Sequence, residues 1–336
     1  MTELTFTEAT IAAMREEMRR DPMVFVIGED MALQGGVFGQ FQGLPEEFGV
    51  QRVLDTPISE TSIVGAAVGA AMCGARPVVD MHFADFVATA MDEVVNQAAK
   101  MRYMFGGQAK VPMVLRMPDG AIHSAAAHHS QSVEAWFLHT PGLKLVVPSN
   151  PRDARGLLKS AIRDDDPVLF FEHKALFNTK GEVPDEEELV PLGRAAIVRR
   201  GRDPSASSGR GSGQALTIVT YSLMTHRCLE AAERLAAEGF EAEVIDLRSL
   251  KPLDWETIAA SVGRTHRAVI VHEACRTGGV GVELAARIGE ELFDWLDAPV
   301  ARVGAKDVPM PFSPPLEQFV LPQVEDVVAA VREVAV

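Results

Sequence analysis

The chain has 336 residues, 47% of them hydrophobic, 24% charged and only 6% aromatic, which is length and apolar content enough for two domains with cores of their own. A formal charge of −15 leaves no general basic face, which argues against nucleic acid or an anionic membrane as the main partner. Cys73, Cys228 and Cys275 follow no CxxC or zinc-site spacing and read as reduced thiols. The N-terminus has neither the apolar core of a signal peptide nor a basic leader, and no apolar run reaches bilayer length, so a cytoplasmic protein is expected.

Residues 7–20 carry a helical period with Ile11, Met14 and Met18 on one side, and Pro22 marks the exit. VFVIGED at 24–30 has the pattern of a buried parallel strand whose carboxyl end opens at Gly28, Glu29 and Asp30, the position where α/β sheets place functional side chains. The glycine-rich stretch 31–49 lacks both GxGxxG and a P-loop ending, and reads as a flexible surface or active-site loop.

In LDTPISETSIVGAAVGAAMCG, residues 54–74, Pro57 forces extension, and Ser59, Thr61 or Ser62 can cap a helix built almost wholly of Gly and Ala. A glycine inside a helix costs roughly 1 kcal/mol against alanine, so such a helix needs a compensating close approach by another backbone, helix or ligand. Glu60 stands at its mouth. By position it is either a first-turn acid favoured by the helix dipole or a functional carboxyl.

Residues 76–86 read as a strand running into a helix that continues through 90–105, with aromatics packed at the junction. Another buried strand at 111–120 leads to a Ser/Ala-rich loop with His123, His128 and His129, which are either solvated or catalytic. Helix and strand follow to residue 173, with the acidic turn AIRDDDP at 161–167 suited equally to solvated aspartates or to a hard cation held through carbonyls. Residues 178–189 form a polar linker, and the Gly/Ser-rich stretch 199–214 a mobile hairpin tip. From 216 onward strand and helix alternate, which means a parallel sheet covered on both faces. The glycine spacing of RTGGVGVEL at 276–284 is wrong for a nucleotide loop. The expected class is α/β with two doubly wound domains, 1–180 and 193–336, joined by a linker at 181–192.

DTPISE with the Gly/Ala helix behind it, then FADF, HSQ, PGLK, AIRD and RTGG, occur in an order that resembles the beta subunit of the decarboxylating component of 2-oxo acid dehydrogenases, a group acting on pyruvate, branched-chain 2-oxo acids or acetoin. The resemblance runs nearly end to end and implies a transketolase-like fold, with a pyrimidine-binding N-terminal domain and a transketolase-type C-terminal domain. It implies thiamine diphosphate as cofactor, with Glu60 driving the aminopyrimidine to its reactive tautomer, Phe86 stacked on that ring, and Glu29, Ile58 and His82 beside it. Many relatives carry Gln where this chain has His82.

Within HSQ the resemblance selects His129, not His128, for substrate and acyl-transfer chemistry. It further implies a structural potassium held mostly by carbonyls of Met113, Ala161, Ile162 and Asp164, with Asp166 contributing. No GDG motif occurs in the 336 residues. The diphosphate and its Mg²⁺ are therefore expected on a separate alpha subunit in an α₂β₂ tetramer, with the small-residue helix at the contact. The C-terminal domain would carry dimer contacts and a docking surface for the dihydrolipoyl acyltransferase core, whose lipoyl group takes the acyl unit. An acetoin dehydrogenase beta subunit and a non-catalytic scaffold of the same fold are the alternatives, while a nicotinamide dehydrogenase would need the missing GxGxxG.

Overall fold

The computed structural model describes residues 1–201 and 214–335, so positions 202–213 of the tip expected at 199–214 lie outside the described residues. In chain order the strands are β1 (Thr2–Thr5), β2 (Val24–Gly28), β3 (Val53–Asp55), β4 (Arg76–Asp80), β5 (Val114–Asp119), β6 (Lys144–Val146), β7 (Val168–His173), β8 (Lys180–Val183), β9 (Ala196–Arg199), β10 (Gln214–Thr220), β11 (Phe240–Asp246), β12 (Ser249–Lys251), β13 (Ala268–Cys275) and β14 (Ala301–Ala305). They fall into two compact units.

The first unit comprises Met1–Gly120, Trp136–Leu192 and Ser249–Pro252. Its main sheet has the order β12-β6-β7-β5-β4-β2-β3, parallel except for the β12–β6 pair. The chain steps from β2 out to β3 and returns on the other side of β2 to β4, so the connections reverse between β2 and β4. Carboxyl ends at such a reversal form the crevice where open α/β sheets bind ligands. Ile27 pairs with Val79, which sets Gly28 beside Asp80 and brings Glu29 and His82 out at neighbouring strand ends.

Helix Phe6–Arg20 starts from a capping box between Thr5 and Glu8, and helix Pro151–Arg163 from Asn150, whose side chain accepts from Asp153 N. Both bury apolar faces with Val24, Val26, Phe41, Val78, Val114 and Phe170 in one core.

Three sequence expectations need correction here. The stretch 31–49 is no flexible loop, because Phe41 and Leu44 are fully buried and Gln40 is 1% exposed, with Phe38 packed edge-on to Phe83 and Phe177. The helix expected from strand β4 through residue 105 is broken into a 3-10 turn Ala84–Ala90, a π turn Glu93–Ala98 and a short helix Met101–Met104, the first closing against helix Glu60–Met72. The linker expected at 181–192 opens inside β8, whose Lys180–Val183 pairs antiparallel with β1.

The second unit comprises Ala121–Ala135, Gly193–Arg248 and Leu253–Val336. Its sheet runs β14-β13-β10-β11-β9, parallel except at β9, and helices Leu223–Ala236, Val280–Glu291 and Val324–Val334 bury their apolar faces with it.

Candidate active site

Glu60 is the first residue of helix Glu60–Met72 and is half-buried. The preceding hydroxyls do not cap that helix through their side chains: Ser59 Oγ donates to Ser62 Oγ at 3.0 Å, and Thr61 Oγ1 to Thr89 O at 2.7 Å. Thr61 thus ties the helix to the segment that follows FADF. Thr89 Oγ1 lies 2.9 Å from Phe86 O and 3.3 Å from Glu60 Oε2, so one hydroxyl proton links the carboxyl to the aromatic segment. The half-buried Phe86 ring meets Phe83 edge-on at 5.5 Å. Ile58, just before the helix, is 82% exposed.

The outward face of the small-residue helix is smooth. A Cβ on Gly69 would meet nothing within 4 Å, and one on Gly65 only Glu93 Cγ at 3.5 Å. No contact among the described residues requires either glycine, which leaves their helix cost uncompensated by them.

Asp80, 2% exposed at the end of β4, accepts from Gln40 Nε2 at 3.4 Å and from the His82 backbone N–H at 3.2 Å. His82 has a left-handed φ of 57°, which aims its ring back so that Nδ1 stands 3.5 Å from Asp80 Oδ2. At that separation the contact is an ion pair only when the imidazole is protonated, and Nδ1 is buried with no hydrogen-bond partner among the described residues. The Asp80 side chain raises the imidazole's proton affinity; burial opposes this, and the charges of Asp80, Glu29 and Asp30 add to it. Burial pushes Glu29 above the usual carboxylate range; His82 works against that shift, while Glu60, Asp30 and Asp80 reinforce it. Beneath this cluster Arg116 and Glu172, each 1% exposed, form a bidentate pair at 2.7 Å.

Glu29, Glu60, His82 and the Phe86 segment thus stand near one another in the first unit, with Ile58 two residues before Glu60 and exposed. An aromatic face, an exposed aliphatic side chain, carboxyls and one imidazole suit a heteroaromatic ring with donor and acceptor nitrogens. None of the five is a lysine or arginine, so the set does not suit a diphosphate. The residues present thus fit the pyrimidine half of thiamine diphosphate. Asp80, Gln40 and Thr89 escaped the sequence reading; the only available signal was Asp80's place at a strand's carboxyl end.

His129 lies in the segment 121–135, which the sequence assigned to the N-terminal domain and which the structure counts with the second unit. Two buried acids and a tyrosine from elsewhere in that unit hold the segment: Ala121 N donates to Glu273 Oε1 at 2.8 Å, Ser124 N to Glu317 Oε2 at 3.0 Å, and Tyr221 Oη to the segment's Glu134 Oε1 at 2.5 Å. His123, Ser124 and Ala126 have positive φ, His128 is exposed, and half-buried His129 donates its N–H to Ala126 O at 3.4 Å.

The carbonyls expected to hold potassium all accept hydrogen bonds already. Met113 O takes Val168 N at 3.0 Å, Ala161 O takes Asp164 N at 3.2 Å, and Arg76 Nη1 donates to Ile162 O at 3.0 Å and Asp164 O at 2.8 Å. Lys144 reaches Asp164 at 2.7 Å and Asp166 at 3.3 Å, and Arg102 also pairs with Asp166. Among the described residues no group of three or more His, Cys, Asp or Glu side chains could hold a metal, and no helix is long and apolar enough to cross a membrane.

Comparison with known proteins accords with this geometry. Residues 2–180 match the family described as transketolase, pyrimidine binding domain, and residues 208–327 match transketolase, C-terminal domain. The 2-oxoisovalerate dehydrogenase subunit beta of Bacillus subtilis is 45% identical over 338 residues, covering 100% of this chain and 99% of its own. The pyruvate dehydrogenase E1 component subunit beta of Rickettsia felis is 46% identical, covering 99% and 98%. The acetoin:2,6-dichlorophenolindophenol oxidoreductase subunit beta of Cupriavidus necator is 45% identical, covering 98% and 97%. A solved structure described as split gene transketolase, inactive beta4 tetramer, superposes with a TM-score of 0.78 at 26% identity, over 99% of this chain and 98% of that one.

Proposed function

This chain belongs to the transketolase-like beta subunits of 2-oxo acid dehydrogenases, and from that premise we propose that its first unit holds the aminopyrimidine of thiamine diphosphate and activates it through Glu60. The observation that carries the reading is the placement of Glu60, linked through Thr89 to the Phe86 segment, and of the Glu29–His82–Asp80 group at the sheet's reversal point, with no lysine or arginine among these residues. When bound, the cofactor supplies the carbanion chemistry that decarboxylates a 2-oxo acid. Glu60 exchanges a proton with the pyrimidine ring nitrogen, Phe86 supplies the stacking face, and Ile58 shields the ring. His129 donates a proton as the acyl unit passes to a lipoyl group of a dihydrolipoyl acyltransferase.

Because none of the candidate site residues is a lysine or arginine that could face the diphosphate, an alpha subunit holds it together with Mg²⁺, and the working assembly is α₂β₂. The bare face of helix Glu60–Met72, whose glycines lack a reason within this chain, supports a close contact with that partner. Potassium at the 161–167 turn would use the second lone pairs of carbonyls already bonded. The substrate is pyruvate or a branched-chain 2-oxo acid; acetoin is the second reading, since the 45% identity to the Cupriavidus necator protein equals that to the 2-oxoisovalerate relative. The scaffold alternative loses ground because Glu60 and His129 are both present.

The test is turnover of pyruvate, 2-oxoisovalerate and acetoin with an artificial electron acceptor, by this chain alone and after co-expression with a cognate alpha subunit. Activity on one substrate in the assembly only is expected. Full-rate turnover by the single chain, or none on any substrate by a folded assembly, would overturn the reading.

A further inference from the structure

The chain path through the second unit's sheet reverses at β10: it goes from β10 to β11 on one side, then crosses back to β13 on the other. The carboxyl ends of β10 and β13 therefore bound the crevice where an open α/β sheet binds a ligand. In this protein the segment 121–135 is fastened there. Tyr221, directly after β10, donates its Oη proton to Glu134 Oε1 at 2.5 Å, and its ring stacks on that of His272 in β13, with centroids 6.4 Å apart and planes at 13°. Glu273 in β13 accepts from Ala121 N at 2.8 Å, and Glu317 in helix Pro314–Val320 from Ser124 N at 3.0 Å. Tyr221, Glu134, Glu273 and Glu317 are all buried.

Between these anchors the backbone is tightly wound. Ala125 N donates to Ile122 O at 3.0 Å and His129 N to Ala126 O at 3.4 Å, while His123, Ser124 and Ala126 have φ of 27°, 61° and 59°. Residues with a Cβ enter that region at a cost, and they stay there only where surrounding contacts over-determine them. His129 stands between the Ser124 and Glu134 anchors, immediately before the buried Ser130. We propose that Tyr221, Glu273 and Glu317 are positioning residues for acyl transfer: the second unit's ligand crevice is taken up by the chain's own segment, whose anchored backbone sets where His129 presents its imidazole. This deepens the reading of His129 above and rests on it. A proton donor must come within hydrogen-bond reach of its acceptor, and a misplacement of about 1 Å can cost about 10²-fold in rate.

Two readouts separate positioning from general stability. Amide hydrogen–deuterium exchange over 121–135, measured by mass spectrometry on the full chain without any cofactor, reads the order of the segment, with the β11 amides as control for the fold. In the assembled enzyme, acyl transfer to a lipoylated domain is compared with reduction of an artificial electron acceptor, which needs no lipoyl group. Tyr221→Phe keeps the stacked ring and loses the hydroxyl. Glu273→Gln and Glu317→Gln keep a carbonyl oxygen that can accept the backbone N–H, whereas Glu273→Ala and Glu317→Ala keep none.

The expected result is about tenfold faster exchange over 121–135 in Tyr221→Phe, Glu273→Ala and Glu317→Ala, with β11 unchanged and the two Gln variants close to wild type. The ratio of acyl transfer to acceptor reduction should fall about tenfold in the same three variants and recover in the Gln pair. Should an Ala variant fail to fold, Tyr221→Phe decides. Exchange that stays at the wild-type rate, or both activities falling in one proportion, overturns the proposal while leaving His129's role standing. A wild-type ratio in His129→Ala would instead overturn the reading of His129 and, with it, this use of the anchors; the exchange measurement would still show whether they order the segment.

Discussion

The first unit holds two crowds of carboxylates, and they differ in what neutralises them. In the turn after helix Pro151–Arg163, Asp164 faces Lys144, Asp165 faces Arg76 at 2.8 Å and Lys110 at 2.6 Å, and Asp166 faces Lys144 and Arg102. These are permanent cations, and the hydrogen bond from Lys110 leads in holding Asp165 below the usual carboxylate range. At the strand ends, Asp80, Glu29 and Asp30 face His82, Glu60 stands near Glu29, and burial lifts Glu29 instead. Fixed counter-charges make a turn that ignores pH until carboxylates themselves protonate. A titratable counter-charge makes a group whose charge balance depends on whether the imidazole holds a proton, which acid–base sites can use.

The sharpest way to break that contrast is Glu60→Gln, which keeps shape and hydrogen-bonding capacity and removes the exchangeable proton. In the assembled enzyme it should lower kcat by about 10²–10⁴-fold, with the melting temperature within the range of an ordinary surface change. A rate within a few-fold of wild type would show that the strand-end cluster is no more chemical than the turn.

Much of this contrast could be read before any coordinates. Glu60 and Glu29 were marked by position, at the mouth of a helix and the end of an apolar strand, and the alternation of apolar runs with amphipathic stretches gave the parallel sheets. Asp80 was not marked, because its importance comes from Gln40 and His82, which reach it from a loop forty residues away and from a left-handed turn that no spacing announces. The same holds for Arg76: as the first residue of β4 it looks like a strand-edge cation, and only the return of the 161–167 turn shows that it bridges two carbonyls and a carboxylate. The assignment of 121–135 to the second unit depends on Glu273, Glu317 and Tyr221, all far along the chain. Local pattern specifies elements; which distant element completes a polar group is settled by packing.

A third environment, in the second unit, sharpens the comparison by removing the counter-charge altogether. His272 in β13 is 0% exposed, and a Cβ on Gly279 or Gly281 would come within 2.5 or 2.8 Å of its ring. Burial pushes its pKa down to about 4 from an ordinary 6.5. The unfolded chain therefore takes up the proton first as pH falls, so the neutral ring costs nothing above about 6.5 and the second unit loses stability from there down through about 4. The loss approaches on the order of 3 kcal/mol at pH 4. Hydrogen exchange of β13 amides in wild type and His272→Leu across this range checks it: the wild-type acid sensitivity should be missing in the variant, and equal slopes would refute the assignment.

Arg76→Ala probes the permanent-cation side. It strips Ile162 O, Asp164 O and the Asp165 carboxylate of their shared guanidinium, and should lower stability by about 2 kcal/mol. Arg76→Lys should recover only part of this, because a point charge cannot reach three acceptors as a planar fork does. Thermal unfolding at pH 7 reads both. Full recovery by lysine would mean that charge alone, not the fork, organises the turn.

The smallest effect is expected from potassium at that turn. Each carbonyl named for it has two lone pairs, one of which is taken by Arg76 or by a backbone N–H, so coordination is not forbidden on that count. An ion seated there would nevertheless stand close to the Arg76 guanidinium and share its acceptors, and two like charges around 4 Å apart repel by about 4 kcal/mol at a near-surface effective dielectric. Exchanging KCl for choline chloride at constant ionic strength should therefore shift stability by under about 1 kcal/mol, or less than roughly 2–4 °C in melting temperature. In Arg76→Ala, with the repulsion gone and both carbonyls released, the potassium dependence should grow. A wild-type dependence larger than the variant's would make the turn a metal site whose cations cooperate with the ion, and the two acidic clusters would then differ by the metal and not by the histidine.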